Sequence, residues 1–508
     1  MSDSDARLML AFSGHHLPDD TRARLAVRRP AGVTLFRFLN VADAHQLRAL
    51  TDEVQALAPP GRPFVIAIDH EGGQLIGLGA DATPFAGNMA LGAAGDAGLA
   101  RRVAAAIGRE LRAVGVNVDY APVCDLATNP RNPALGIRCF GDDPGAAATL
   151  VAATVRGLHD AGVASGLKHF PGGGEASADP HLGLPLIERD RAGFMARELE
   201  PFRAGIAAGA DLVMTGHPAV PGLNGDASLP GTLSRAVVHD LLRDELQFSG
   251  VTISDALDMG AVAGHEGVNG GRALAAGQDL LLLPADATMR DTIAASVAGR
   301  HASDAADARI DGLRAGLHGA EGDPSIVGCA AHRELAEELA RRSVTLLRDR
   351  DGLLPVRLPP TATLGVIMPR PVDRTPADTS SSVAPGLATA VRRHHGRVME
   401  RIVDPAPGDE EIAAVAAWAE SCDLLLIGTI DASFEPAQAA LVSALLATRR
   451  PAITLALRTP WDLSAYPEAG THACTYSILP PSLEAVAGAL WGTGVFPGRL
   501  PVGAAVPA

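Results

Sequence analysis

Eight short apolar runs mark the first 290 residues: Leu8–Phe12, Gly32–Phe36, Phe64–Asp69, Val116–Pro122, Ala164–Phe170, Leu212–His217, Val251–Asp255 and Leu280–Pro284. They are rich in Val, Ile and Leu and mostly lack polar/apolar alternation, which is the pattern of parallel strands buried on both faces. Amphipathic stretches separate them, among them Val41–Leu57, Ala100–Val114, Ala146–Leu158, Arg191–Ala208 and Ser234–Glu245. Strand and helix alternate about eight times, the rhythm of a (β/α)8 TIM barrel. Periodicity alone does not separate a short run such as Leu8–Phe12 from a buried helix segment.

A second, shorter series begins after a helical connector: Val344–Leu347, Leu364–Met368, Val398–Ile402, Leu424–Gly428, Ala452–Leu457 and Cys474–Leu479, with helical patterns at Glu410–Ala419 and Pro436–Leu446. The expected fold class is therefore α/β: a TIM barrel over residues 1–320, a linker over 321–343, and a smaller α/β sandwich over 344–508. Arg370–Pro385, poor in apolar residues and rich in Pro, Ser, Asp and Thr, is expected to be a long surface loop.

Composition narrows the function. A net charge of −15 argues against a nucleic-acid partner or an anionic lipid surface. It fits an enzyme with a neutral or weakly charged small substrate. The five cysteines are scattered, odd in number and without CxxC spacing, so free thiols in a reducing compartment are expected. Met1 to Arg7 has acids and no apolar core of a secretory signal, and no window reaches the ~18 apolar residues of a membrane span. The cytoplasm is the expected location. No metal is expected, because His15-His16, His394-His395 and His301 are isolated and read as solvated surface. No cofactor is expected either: Gly172-Gly173-Gly174 lacks the Lys-Ser/Thr of a phosphate loop.

One count changes the picture. Of 43 Lys and Arg, a single residue, Lys168, is lysine. A lone survivor of such a bias points to a site that needs a compact ammonium and not a planar guanidinium.

Lys168 also stands where the polar residues gather. Asp69, Lys168-His169, His217 and Asp255 each fall at or just beyond the C-terminal end of an apolar run, the rim where TIM barrels carry their active sites. Asp69 and Asp255 could each merely cap the following turn; four polar strand ends together favour a site. Between Lys168 and His181 runs Pro171-Gly172-Gly173-Gly174, a loop with little side-chain bulk. On it, Asp179 and His181 are spaced so that a carboxylate can orient an imidazole, as general acid–base work needs.

These segments resemble the glycoside hydrolase family 3 β-N-acetylglucosaminidases. The resemblance rests on Ile68-Asp69-His70-Glu71-Gly72-Gly73, on Ala121–Asp125 with Asn132–Phe140, on Lys168–His181 continuing to Pro185, and on Ser254-Asp255-Ala256-Leu257-Asp258-Met259. Weaker matches, Ser343–Asp349 and Phe496–Val502, resemble the family's second domain. The resemblance implies a retaining exo-β-N-acetylglucosaminidase with Asp255 as nucleophile, His181 as acid/base and Asp179 holding it. It further implies that Asp69, Arg138, Lys168 and His169 bind the sugar; His217 is an expected substrate contact from its strand end. Three positions depart from the pattern: Gly77 and Gln74 replace usual arginines, and Gly173 replaces a usual histidine. His70, where the family usually has Gln, is the expected substitute contact. A β-glucosidase, a phosphorylase using the same imidazole, and a catalytically impaired sugar-binding protein remain as alternatives.

Overall fold

The computed structural model describes residues 3–299 and 303–503. Eight parallel strands, β1 (Leu8–Leu10), β2 (Gly32–Leu35), β3 (Val65–Ile68), β4 (Val118–Asp119), β5 (Ala164–Phe170), β6 (Leu212–Thr215), β7 (Val251–Ser254) and β8 (Leu281–Leu282), run in the order β7-β6-β5-β4-β3-β2-β1-β8. A parallel bridge between Ile253 and Leu280 closes the barrel. The unalternated runs follow from this closure. Val65, Ala67, Val118, Leu212, Met214, Val251 and Ile253 pack together in the barrel interior. Their neighbours Ile66, Ile68 and Val213 pack outward in a cluster with helix residues such as Leu47, Val54 and Leu111. Both faces of each strand are thus buried, so no polar phase is tolerated.

β4 is shorter than the run Val116–Pro122 that predicts it. Pro122 has no N–H to donate, and pairing resumes only at the bridge between Val123 and Lys168.

The second sheet has the order β11-β10-β12-β13-β14-β9, with β9 (Thr345–Asp349), β10 (Leu364–Pro369), β11 (Val398–Val403), β12 (Leu424–Thr429), β13 (Ala452–Ala456) and β14 (Thr471–Cys474). Only the β14–β9 pair is antiparallel. Leu364, Val366, Leu424 and Leu426 share one core with the helices Leu387–Val391 and Pro480–Leu490. Ile367, Leu425 and Ile427 share the other with Asp409–Ala419 and Pro436–Ala447. The segment Cys474–Leu479 is not a strand. β14 ends at Cys474 and the chain turns at Tyr476, whose φ is 59°. Tyr476 and Leu479 are apolar because they are buried in the large cluster that also holds the barrel's outer residues.

Helix Ala330–Ser343 packs against both Asn88–Ala94 of the barrel and Pro480–Leu490 of the second unit. The five cysteines are free thiols, four of them buried. His395 is buried, not solvated, and its Nε2 donates to the Ala362 carbonyl at 2.7 Å. His301 lies outside the described residues. No helix among the described residues is long and apolar enough to cross a membrane.

Candidate active site

At the C-terminal mouth of the barrel lies a cavity of about 500 Å³. Asp69, Arg138, His169, His181, His217 and Asp255 all line it. Lys168 and Asp179 do not; each stands one shell back, against a residue that does.

Strand β3 ends at Ile68, so Asp69 is the first residue to leave the sheet. Lys168, fully buried in β5, reaches under it with Nζ between the Asp69 carboxylate and Glu71 Oε1, the latter 2.6 Å away. Glu71 in turn takes two bonds from Arg138, Nε to Oε2 at 2.9 Å and NH2 to Oε1 at 2.8 Å. Burial pushes the Glu71 carboxyl up, but Arg138 and Lys168 outweigh it and hold it down at about 2. Burial lowers the Lys168 ammonium's pKa, and Asp69 and Glu71 more than restore it. A point charge fits between two carboxylates in a space that a planar guanidinium would overfill. The surviving lysine is thereby accounted for. Glu71 was not singled out from sequence, although it sits in the same box as Asp69.

His169 and Asp125 form a second pair, Nδ1 to Oδ2 at 2.7 Å, and Asp125 Oδ1 accepts the Gly173 N–H at 2.5 Å. Asp125, wholly buried and also missed as a functional position, therefore fixes both the imidazole and the start of the glycine loop. Asp255 leaves the sheet directly after β7, and its Oδ1 accepts the Ala256 N–H at 2.8 Å. Burial raises its pKa, but His217, His169, that N–H and His181 outweigh burial, and the carboxyl is held below its ordinary value. His217 is buried, and desolvation lowers its pKa although the Asp255 carboxylate opposes this. Its Nε2 donates to the Ala256 carbonyl at 2.9 Å, while Nδ1 has no partner in the protein.

The glycine loop carries the Asp–His pair to the cavity. Asp179 Oδ1 accepts both the His181 N–H, at 2.9 Å, and a bond from His181 Nδ1, at 2.7 Å. Burial raises the Asp179 carboxyl, but the bonds from His181 outweigh burial and hold it below its ordinary value. With Nδ1 committed, Nε2 is the nitrogen left to exchange a proton with substrate.

The second unit completes the wall. Pro376, Ala377 and Thr379 line the cavity, and Thr375, Asp378, Thr379 and Ser380 are buried. The stretch Arg370–Pro385 is thus not a plain surface loop. Asp378 and Thr379 can be buried because sheet and barrel pair them, while Asp373, Ser381 and Ser382 stay exposed. Thr379 donates N–H and Oγ1 to the Gln74 carbonyl at 2.7 and 2.9 Å. Arg458 holds Asp378 at 2.8 Å and Asp431 at 3.2 Å.

The same contacts explain the departures from the family pattern. Gln74 is buried and its Oε1 accepts from Arg458 NH2 at 2.7 Å, so it ties barrel to second domain and does not face substrate. A Cβ on Gly77 would lie 2.3 Å from the Asp69 carbonyl and 2.9 Å from Ile68, so in this backbone no side chain fits there. His70 does not replace the lost contact. It is buried, outside the cavity wall, and its Nδ1 accepts the Leu78 N–H at 3.2 Å. Arg37, just after β2, does line the cavity and sends NH1 to the Ile76 carbonyl at 3.3 Å. Gly173 has room for a side chain: a Cβ would meet Asp125 and Leu135 at ordinary contact distances of 3.5 and 3.7 Å. Among the described residues one group of metal-type ligands comes together, His239, Asp240 and Asp244, on an outer helix; none of them lines the cavity.

Cleaving a glycosidic bond calls for a carboxylate that stays charged and a group that passes a proton to the leaving oxygen. The barrel mouth offers both kinds of group to one pocket, as a glycoside hydrolase requires. Residues 9–312 match the model of the glycosyl hydrolase family 3 N terminal domain, and the chain belongs to that family. It is 34% identical over 362 residues to beta-hexosaminidase A of Pseudoalteromonas piscicida, covering 63% of this chain and 59% of the relative. It is 38% identical over 264 residues to the beta-hexosaminidase of Stenotrophomonas maltophilia (strain K279a), 51% of this chain and 76% of the relative. The chain thus spans about three fifths of the first of these. The family 3 beta-N-acetylglucosaminidase structure from Paenibacillus sp. str. FPU-7 superposes with a TM-score of 0.91 at 34% identity, covering 99% of both chains.

Proposed function

We propose that this chain is a retaining, exo-acting β-N-acetylglucosaminidase. The observation that carries the reading is the shared cavity: Asp255, ionised, and His181, oriented by Asp179, line the same pocket as Asp69 and Arg138. In the first half-reaction His181 Nε2 gives its proton to the glycosidic oxygen while Asp255 attacks the anomeric carbon. Neutral His181 then takes a proton from water, and water releases the sugar from Asp255. Asp69 accepts from ring hydroxyls, with Lys168 and Glu71 fixing it from behind; Arg138, held by Glu71, and His169, held by Asp125, face the same ring. His217 offers its free Nδ1 to a further polar group of the substrate.

The preference for N-acetylglucosamine is supported by the relatives named beta-hexosaminidase and by the overlap with the Paenibacillus enzyme. A second reading, dual action on glucosides, is favoured by one relative, named beta-N-acetylglucosaminidase/beta-glucosidase, from Cellulomonas fimi, 34% identical over 349 residues. Turnover of matched nitrophenyl glycosides of glucose and N-acetylglucosamine separates the two; a higher kcat/KM on the glucoside overturns the first. Asp69, Asp255 and Asp258 place three carboxyl groups in the cavity wall. Arg37 and Arg138 line the same wall, and Asp255 is an uncharged ester when the acceptor arrives, so the expectation of water over phosphate rests on the relatives named beta-hexosaminidase; sugar 1-phosphate among products formed in phosphate buffer would refute it. Substrates are small carbohydrates, cell-wall fragments or chitooligosaccharides. The cytoplasm is the proposed location, supported by the five unpaired thiols.

A further inference from the structure

Asp179 orients the His181 imidazole from within the loop, and the loop's own tip is held from outside it. We infer that Gly260, on the segment just after the nucleophile's strand, is the docking point that sets His181 over the cavity. The inference rests on the role proposed for His181.

The base of the glycine loop is clamped to the β4 side of the mouth. Asn132 Nδ2 donates to the Gly173 and Gly174 carbonyls at 2.9 and 3.1 Å. Asn129 Nδ2 donates to those of Glu175 and Ala176, both at 3.1 Å. The tip is held elsewhere. The Gly260 N–H donates to the His181 carbonyl at 3.1 Å, and the Ala261 N–H to the Pro180 carbonyl at 2.9 Å. The tip itself is a tight turn, with the N–H groups of Leu182 and Gly183 on the Asp179 carbonyl at 2.9 and 3.3 Å. Leu182 projects into solvent, 86% exposed, so no apolar packing of that side chain holds the turn down. Its height above the cavity is therefore set by backbone contact with residue 260.

That contact tolerates no side chain. A Cβ on Gly260 would stand 2.6 Å from the His181 carbonyl oxygen, 2.7 Å from the Leu182 carbonyl carbon and 3.0 Å from the Gly183 nitrogen. All three are main-chain atoms and cannot swing aside as the end of a flexible side chain would. Residue 260 is five positions beyond Asp255 on the same connection. The nucleophile and the proton donor are thus referenced to one piece of backbone, and moving the tip by a methyl group's width moves His181 relative to Asp255. Proton transfer to the leaving oxygen depends steeply on such placement.

Gly260→Ala tests this against Gly267→Ala, a helix position where a Cβ meets nothing within 4 Å. Gly260→Ala is expected to lower kcat/KM about tenfold or more on a poor leaving group such as an unactivated disaccharide. On a dinitrophenyl glycoside, which needs no proton, the loss is expected to be small. Gly267→Ala should match the parent on both. Equal losses on both substrates, or none, overturn the inference, provided His181→Ala shows the leaving-group split. If His181→Ala shows no split, the proposed role of His181 fails first. Should Gly260→Ala not fold, hydrogen exchange of the parent decides: the Gly260 and Ala261 amides should be protected, and exchange at the rate of open backbone contradicts the docking.

Discussion

Two buried ion clusters in this molecule share a design and differ in use. At the barrel mouth Lys168 sits between Asp69 and Glu71, with Arg138 on the far side of Glu71. In the second unit Arg458 sits between Asp378 and Asp431, with Arg374 on Asp431 at 3.0 Å. The first cluster is left open on one side: the Asp69 side chain is 23% exposed, and Asp69 and Arg138 face the cavity. In the second, Asp378, Asp431 and Arg458 are buried, Arg374 is 24% exposed, and none of the four lines the cavity. Pairing lets charge be buried in both places. What distinguishes a binding site from a structural staple is whether one member keeps a face toward a space that a ligand can enter.

The largest effect expected is on His181, the proposed acid/base, which neither cluster touches. His181→Ala should lower kcat/KM on poor leaving groups by about two to four orders of magnitude and much less on activated ones. A uniform loss measured across a leaving-group series would remove His181 from proton transfer.

Next comes the pair that sets the clusters side by side. Glu71→Gln and Arg458→Met each leave buried charges short of a partner, and each should cost about 3–5 kcal/mol in denaturant unfolding. Their kinetics should diverge at a temperature where both are folded. Glu71→Gln, which leaves Lys168 with Asp69 as its one carboxylate and removes the carboxylate that holds Arg138, should depress kcat and raise KM. Arg458→Met, which releases Asp378, Asp431 and Gln74 behind the cavity wall, should raise KM with kcat near the parent's. Indistinguishable kinetics would erase the contrast.

A smaller effect comes from a buried carboxyl whose neighbouring guanidinium makes no hydrogen bond to it. Glu198 lies behind the glycine loop with Arg189 3.4 Å from its Oε1, and burial pushes its carboxyl up to about 7. Its ordinary value is near 4.5. A folded-state value above the unfolded one means that the native state holds the extra proton. Stability is then full below about pH 4.5 and falls as pH rises through 7, by on the order of 2 kcal/mol. Glu198→Gln should flatten that fall; unfolding curves of both proteins between pH 5 and 8 check it.

The mouth cluster was legible in sequence because its members sit in short contiguous boxes at strand ends. Asp69, Lys168, His169 and Asp255 each follow an apolar run, and the lone lysine marked the place. Glu71 and Asp125 were overlooked because a buried carboxylate that orients another residue looks, in one dimension, like any turn acid. The second cluster had no local signature. Asp378, Asp431 and Arg458 are brought together only by the fold of the second unit, Gln74 joins them only when the barrel docks, and Arg370–Pro385 reads as solvated because its buried part is held by hydrogen bonds, not by apolar side chains. Gly77 and Gly260 were unreadable for a related reason: what each requires is close backbone contact, in Gly260's case with a distant loop. The barrel strands were the most legible feature, since burial on both faces leaves a dense apolar run. Cys474–Leu479 carried the same density without being a strand.

The direct test of the whole account is to find which side chain becomes covalently bonded to sugar. A fluorinated N-acetylglucosaminide with a good leaving group, incubated with the enzyme and mapped by peptide mass, should add one glycosyl unit to Asp255 and none to an Asp255→Asn variant. A glycosyl unit on any other residue, or turnover of the parent with no covalent adduct and inversion at the anomeric carbon, would contradict it.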